Sequence, residues 1–448
     1  MAFPPQGTAG NDVYTINGPF NTLHDGYAYL DGGDGWDAIV LTGGANVLDY
    51  AWGGVSNFED LILGNGIWSL TLGGAAAHAF TGMHVLIDAG SATSIDIDGT
   101  GLSAGATLQV LGSLGADTII GGSGTNGFYG RGGADVLVGG ASNDFFFFDT
   151  LAQLKQAHVD GGGGDNVINI AQDAAVTDAA FAQVQHVDYL YLNGTGAQSA
   201  ALGTQALAAS GGAIVLYATN ASSLSYDGHA FAGTAYIHGS AGADTMLGGN
   251  GTDVFFGDGG ADSLSGGGGN DFFEFSDRSQ LAATTADGGS GTDTVVMLGG
   301  QRINDVDFLH ISHMETLKLE GTGAQIVTLG ATASAAFDGA VTLSAVNSHG
   351  LYVDASAFTP ALHITATAYA DTFVLGRSGD DVIYNFATHS QANADQVQLL
   401  GHSLADVQAM LAGAVDASNG TYLYHDGHVL VFSGVAKATL STADFLIA

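Results

Sequence analysis

Residues 239–274 read GSAGADTML GGNGTDVFF GDGGADSLS GGGGNDFFE, four nine-residue units without a gap. Each unit opens on glycine, carries Asp at its sixth place (Asp244, Asp253, Asp262, Asp271) and a large apolar residue at its eighth (Met246, Phe255, Leu264, Phe273). Residues 112–147 repeat the pattern as GSLGADTII GGSGTNGFY GRGGADVLV GGASNDFFF, with Asp117, Asn126, Asp135 and Asp144 at the sixth places. Glycines at places one, two and four permit positive φ, so six residues can wrap tightly and turn their carbonyls inward. The eighth residue then points into a core from a short strand. Two nonapeptides make one 18-residue coil, with turns alternating between the edges of a flattened roll and neighbouring strands roughly 4.8 Å apart.

That spacing has an electrostatic consequence. Carboxylates stacked so closely in a partly dry loop repel one another, and a divalent cation between them reverses the sign. Six to eight hard carboxylate and carbonyl oxygens favour Ca²⁺ over Zn²⁺ or Cu²⁺. The expected pairs are Asp117 with Asp135 on one edge and Asn126 with Asp144 on the other, then Asp244 with Asp262 and Asp253 with Asp271. Asn126 is uncharged, so weaker binding is expected on its edge. Isolated copies add Asp12, Asp37 and Asp293 as candidates; GGGGDNVIN (161–169) has Asn166 in the Asp place, and ATAYADTFV GRSGDDVIY (366–384, broken at 375) has Ala366 in the first. A lone copy is most simply a glycine turn with a solvated aspartate. Two runs of four carry the metal reading.

A longer period is superimposed. Asp117, Asp244 and Asp371 recur at intervals of 127 residues, and SNFEDLILGNG, QHVDYLYLNGTG and SHMETLKLEGTG place Glu59, Asp188 and Glu315 alike. The expected organisation is a partial repeat or cap at 1–30, repeats at 31–159, 160–286 and 287–393, and a closing cap at 394–448, since solenoids need covered ends. Helix starts are expected at Thr177 and Asn304. The last segment predicts a helix over 403–414, with Ser403 and Asp406 as a capping box, and a hairpin turning at Asp426-Gly427.

Composition narrows the function. The chain of 448 residues has 7 Lys+Arg against 44 Asp+Glu, a formal charge of −37, yet 46% of it is hydrophobic. An acidic disordered chain lacks such apolar content, and so few basic residues exclude nucleic acid as the expected partner. Glycine is abundant (71) with only 4 prolines, which suits many tight turns rather than collagen. Without cysteine there are no disulfides or thiolate metal sites. The N-terminal residues lack a basic segment followed by an apolar one, so a cleavable signal is not expected, and no apolar run reaches membrane-span length.

The nonapeptides resemble the RTX (repeats-in-toxin) motif GGxGxDxUx, with U apolar. That resemblance implies a parallel β-roll with several Ca²⁺ in its turns and export by a type I secretion machinery reading an uncleaved C-terminal signal, of which DGHVLVFSGVAKATLSTADFLIA has the look. The intervening segments resemble, more softly, those of RTX-type bacterial S-layer and surface proteins. Neither HExxH nor GxSxG occurs, so the protease helix and lipase elbow are absent. The pairs His310/His313, His425/His428 and His78/His84 read as surface or edge histidines before metal ligands. Asp96 and Asp98 read as a solvated strand face before a glycosidase pair. Phe145–Phe148 reads as core, with two rings at an interface as the sharper view.

The sequence therefore predicts an all-β, right-handed parallel β-solenoid of about three ~127-residue repeats with a small helix-and-hairpin cap. The function expected is a non-enzymatic, secreted, Ca²⁺-folded structural protein that self-assembles into a homopolymeric surface layer, filament or matrix. Its partners would be itself and cell-surface polysaccharide. A secreted glycan-binding or glycan-modifying protein is the alternative.

Overall fold

Alternate residues of a strand point to opposite faces, so the apolar eighth place of every nonapeptide falls on one side of the chain. In the computed structural model, which describes residues 7–17, 30–300, 302–345 and 347–447, that side is the interior: Ile119, Phe128, Leu137, Phe146, Met246, Phe255, Leu264 and Phe273 are all buried. The chain divides into two compact units, 1–221 and 222–448. Part of the N-terminal cap expected over 1–30 lies outside the described residues.

In the first unit one face is a row of parallel strands that the chain visits once per coil, from Val13–Asn17 and Ala38–Thr42 through Thr107–Leu111, Asn126–Tyr129 and Phe145–Phe148 to Ala213–Tyr217. The opposite face carries Ile67–Thr71, Ser94–Asp98, Thr118–Ile120, Val136–Gly140 and His158–Gly162, again all parallel. The second unit repeats the plan, with Thr234–His238, Asp253–Phe256, Phe272–Phe275 and Thr294–Met297 on one face and Ser223–Asp227, Thr245–Leu247, Ser263–Gly268 and Thr285–Ser290 on the other. A parallel β-solenoid is the architecture of both units.

The long period has a geometric meaning. Leu108 pairs with Asn126 and Gly127 with Phe145, 18-residue coils; Val167 then pairs with Phe145 and with Tyr189, coils of 22; Tyr189 pairs with Val215, a coil of 26. The second unit runs the same schedule: Ala235 to Asp253, Val254 to Phe272, Phe272 to Thr294, Thr294 to Thr316, Thr316 to Thr342. The additional residues of the longest coils form short helices. Gly74–Ala79, Thr204–Ala209 and Ala331–Ala336 each start on N–H groups bonded to a carboxylate from the preceding coil, Asp49, Asp178 and Asp305. These are the orphan donors of a helix start, satisfied across coils rather than by a local cap. The sequence-read starts at Thr177 and Asn304 are single 3₁₀ turns, Asp178–Phe181 and Asp305–Phe308.

The chain closes with helix Leu404–Gly413, capped by the Ser403–Asp406 box, and hairpin Gly420–His425 with His428–Ser433. Asp426 (φ 46) and Gly427 (φ 86) make its two-residue turn. The second hairpin strand pairs parallel with Asp381–Tyr384, and Val415–Ala417 pairs antiparallel on the first. A three-residue edge strand limits further pairing at this end.

Aromatic rings meet from coil to coil inside: Phe255 stacks on Phe273 at 5.2 Å, and Phe128 meets Phe146 edge to face at 5.9 Å. Phe255→Ala in the calcium-loaded protein should cost about 3–5 kcal/mol, whereas Phe145→Ala, whose ring faces outward, should stay within about 1 kcal/mol. Thermal unfolding of the two variants checks the difference.

Candidate calcium-binding turns

The sixth residue of each nonapeptide ends the tight turn and starts a strand, so its side chain folds back against the preceding coil. There it meets a backbone donor. The Asp117 N–H donates to Asp135 Oδ1 at 3.0 Å, and Asp244 N–H to Asp262 Oδ1 at 3.0 Å. On the other edge Asn126 N–H donates to Asp144 Oδ1 (2.7 Å), Asp144 N–H to Asn166 Oδ1 (2.9 Å) and Asn166 N–H to Asp188 Oδ2 (2.8 Å). In the second unit the corresponding chain runs Asp253 to Asp271 (2.8 Å), Asp271 to Asp293 (2.8 Å) and Asp293 to Glu315 Oε2 (2.7 Å). Asp12 N–H donates to Asp37 Oδ1 and Asp37 N–H to Glu59 Oε2 in the same way. The structure thus brings every candidate pair together as rungs of a ladder, one rung per coil.

A rung uses one carboxylate oxygen. On Asp117 and Asp244 the other is held by the turn's own Ser113 and Ser240 N–H groups. On Asp37, Asp144, Asp271 and Asp293 the Oδ2 atom, and on Asp253 the Oδ1 atom, is buried with no hydrogen-bond partner. These oxygens also crowd carbonyls. A Cβ added at Gly266 would lie 2.2 Å from Asp271 Oδ2 and 2.4 Å from the Gly288 oxygen; at Gly139 it would lie 2.3 Å from Asp144 Oδ2 and 2.4 Å from the Gly161 oxygen. Neither glycine has positive φ. The first-place glycines are therefore there to leave room for oxygen, not to adopt a left-handed backbone, which is the task of second- and fourth-place residues such as Gly267 (φ 91) and Gly269 (φ 123).

Buried oxygens packed on oxygens raise proton affinity. Burial, opposed by backbone hydrogen bonds to the carboxylates, pushes Asp135 and Asp271 up to about 7, and Asp144, Asp253 and Asp262 to about 6. The Lys and Arg ion pairs of the described residues go elsewhere, to Asp307, Glu320 and Asp426. Unpaired carboxylate oxygens close to turn carbonyls, with the Lys and Arg ion pairs of the described residues made elsewhere, fit a divalent oxygen-seeking cation.

Two rungs are built differently. Asn126 accepts the Gly122 N–H on Oδ1, while its Nδ2 donates to the Gly124 carbonyl (2.8 Å), the Gly139 carbonyl (3.2 Å) and Asp144 Oδ1 (2.8 Å). Asn166 Nδ2 donates to the His186 (3.0 Å) and Gly163 (3.3 Å) carbonyls. A Cβ at Gly121 would meet the Gly139 oxygen and Asn126 Nδ2, where the corresponding atoms at Gly266 are a carbonyl and a carboxylate oxygen. The amide NH₂ stands among the oxygens that a cation would otherwise draw together, so the expected weak ion at Asn126 meets a turn already satisfied. Gln325 Nε2, with the Gly321 carbonyl at 3.0 Å, makes a related contact.

Several rungs escaped the sequence reading. Glu59, Asp188 and Glu315 were visible as equivalent positions, but their part in ending a ladder depends on a pairing 22 residues away. Asp371 and Asp395 form a rung at 2.9 Å, and Asp381 accepts the Leu362 N–H; burial raises Asp381 and Asp395 to about 7. The degenerate third run thus keeps buried carboxylates. Of the other candidates, Asp96 is exposed and Asp98 accepts the Thr100 N–H in a local turn. His84 meets Thr107, and His313 meets Asp287 at 2.6 Å. In Phe145–Phe148 the rings alternate, Phe146 and Phe148 inside and Phe145 exposed.

The family model for the RTX calcium-binding nonapeptide repeat, in four copies, matches residues 111–146 and again 232–273. No curated protein matches the chain. The matched stretches are 18-residue coils, one block in each unit; these two blocks are RTX calcium-binding nonapeptide repeats, and they give the chain multiple Ca²⁺ as its cofactor.

Proposed function

We propose that this protein is an extracellular structural element that folds on Ca²⁺ outside the cell and self-associates into a layer, filament or matrix, without catalytic activity. The observation that carries the calcium part is the set of buried, unpaired oxygens on Asp37, Asp144, Asp253, Asp271 and Asp293. Asp135 and Asp262 join them as rungs, with Asp12, Asp117 and Asp244 contributing from the adjoining coils. Bound there, Ca²⁺ supplies the positive charge that lets these carboxylates stay ionised side by side. Weak, numerous sites suit millimolar extracellular calcium, and a chain that stays unfolded where calcium is scarce suits type I export. No helix among the described residues is long and apolar enough to cross a membrane. The recurring schedule of coil lengths supports three tandem repeats opening near 31, 160 and 287, with 394–448 as closing cap and export signal.

Support for self-association comes from the outer face of the first unit. Strand register aligns Leu111, Tyr129, Phe147, Asn169, Tyr191 and Tyr217 in one outward column. Tyr129 stacks on Phe147 at 4.3 Å and Tyr191 on Tyr217 at 4.7 Å. Tyr129 is 43% exposed and the neighbouring Phe145 37%. An outward column holding two stacked aromatic pairs, one on each side of Asn169, marks an interaction face. The glycan reading rests on the same strip, because a sugar can lie on an aromatic face.

Electron microscopy of the calcium-loaded protein separates the two. Ordered filaments or sheets are expected with millimolar Ca²⁺, and the double variant Tyr129→Ser/Phe147→Ser should lose them while remaining folded. Discrete particles that bind a saccharide array through the same strip would replace assembly with glycan binding.

A further inference from the structure

The closing cap gathers ligand chemistry unlike that of the turns. His425 ends the first hairpin strand, Asp426 is the first residue of its turn, and His402 lies just before helix Leu404–Gly413. The hairpin thereby faces the loop leading into the helix. One ligand atom from each of the three residues lies within 4.8 Å of the others, the single such group of three or more His, Cys, Asp or Glu among the described residues. His402 Nε2 is 3.1 Å from Asp426 Oδ2, and the two imidazole rings stand nearly perpendicular, centroids 5.9 Å apart.

His425 is the informative member. It is 4% exposed, and neither of its ring nitrogens has a hydrogen-bond partner. A buried imidazole with both nitrogens unpaired is costly, and a core position with no polar need would favour an apolar side chain of similar size. A third ligand atom within reach gives that nitrogen a purpose. Two imidazoles and one carboxylate are a borderline donor set, suited to Zn²⁺ and its first-row neighbours and poor in the oxygens that Ca²⁺ requires.

The geometry points to a transition-metal site formed by His402, His425 and Asp426, separate from the calcium turns, that takes Zn²⁺ or a similar divalent ion and staples the loop before the cap helix to the hairpin turn. Arg377 does not preclude it. Its Nε is 3.3 Å from Asp426 Oδ2, but its guanidinium is also anchored on the Gly401 carbonyl (Nη2, 3.0 Å) and the Leu400 carbonyl (Nε, 3.4 Å), so it keeps acceptors when a metal takes the carboxylate. His428, two residues beyond Asp426, faces Asp380 instead (3.6 Å).

The test is a Co²⁺ titration of the full chain held in excess Ca²⁺, read in the visible d–d bands. One equivalent should give an intensified, low-symmetry spectrum that Zn²⁺ abolishes. His402→Gln and His425→Gln should each remove it, and His428→Gln should leave it. If His425→Gln fails to fold, His402→Gln, in the loop before the helix, carries the same prediction. A spectrum indistinguishable from aqueous Co²⁺, or one surviving in His402→Gln, overturns the site. Because Ca²⁺ is present throughout, either result leaves the calcium reading standing.

Discussion

Stripped of metal, the protein should be unfolded at about pH 7.5 and regain much of its β-sheet at about pH 5, the reverse of ordinary acid denaturation. The sign follows from the direction of the shifts. Burial raises Asp135, Asp271, Asp381 and Asp395 from the usual 3.8 to about 7, and Asp144, Asp253 and Asp262 to about 6. A group whose folded-state pKa is raised holds its proton more tightly in the native state. Stability from that group is full below the unfolded value and is lost as pH rises through 6 to 7. With seven such groups, the metal-free fold meets a steep penalty across that interval. Calcium takes over the proton's task, so the loaded protein should be stable at pH 7.5, and its affinity should fall as protons compete below about pH 7. Far-UV circular dichroism and thermal melts, on resin-stripped protein with and without Ca²⁺ at a series of pH values, measure both limbs. A metal-free protein that is as stable at pH 7.5 as the loaded one, or that simply loses stability on acidification, would remove the carboxylate ladder from the folding mechanism.

Much of this was legible from Gly239–Glu274 alone, for a local reason. A nine-residue unit with glycines at fixed places specifies its own turn, and the apolar eighth place specifies which face is inside; neither needs a distant partner. The expected grouping of Asp117 with Asp135, and of Asp253 with Asp271, depends only on that unit length. Other features rest on contacts between coils of unequal length. Asp49, Asp178 and Asp305 cap helices in the following coil, about 25 residues away, and nothing local distinguishes them from solvated aspartates. Glycine was legible as a turn residue but misassigned in detail. At Gly139 and Gly266 the neighbouring carboxylate, invisible until the coils are stacked, sets the requirement. His425 was read as an edge histidine because strand alternation places residues without reporting what lies over the strand, and here the cap loop does.

Asp271 offers the sharpest separation between the hydrogen-bond and metal roles of a rung, because Asn and Ala remove different parts of it. Asp271→Ala removes the acceptor of the Asp253 N–H, leaving a buried donor unpaired at about 1–3 kcal/mol, with a small cavity in addition. That loss should appear with and without calcium. Asp271→Asn keeps an oxygen for the same N–H and places an NH₂ where Oδ2 now faces the Gly288 carbonyl, the arrangement that Asn126 already makes with Gly139. It removes a buried negative charge from the metal-free fold and a carboxylate ligand from the loaded one. The expected order of melting temperatures is therefore Asn above wild type above Ala in metal-free buffer at about pH 5, where the stripped protein keeps its sheet and Asp271 must still hold a proton that the unfolded chain releases, and wild type above Asn above Ala in calcium at about pH 7.5. Calcium bound per chain should fall in Asp271→Asn. The reciprocal change, Asn126→Asp, should raise the calcium requirement of the first unit by adding an unpaired carboxylate beside Asp144. Native mass spectrometry counts the ions, and melting curves rank the variants. If Asp271→Asn were as damaging as Asp271→Ala in metal-free buffer, the amide would not be taking the cation's place. Asn126 and Asn166 would then be accidents of drift rather than rungs built to do without calcium.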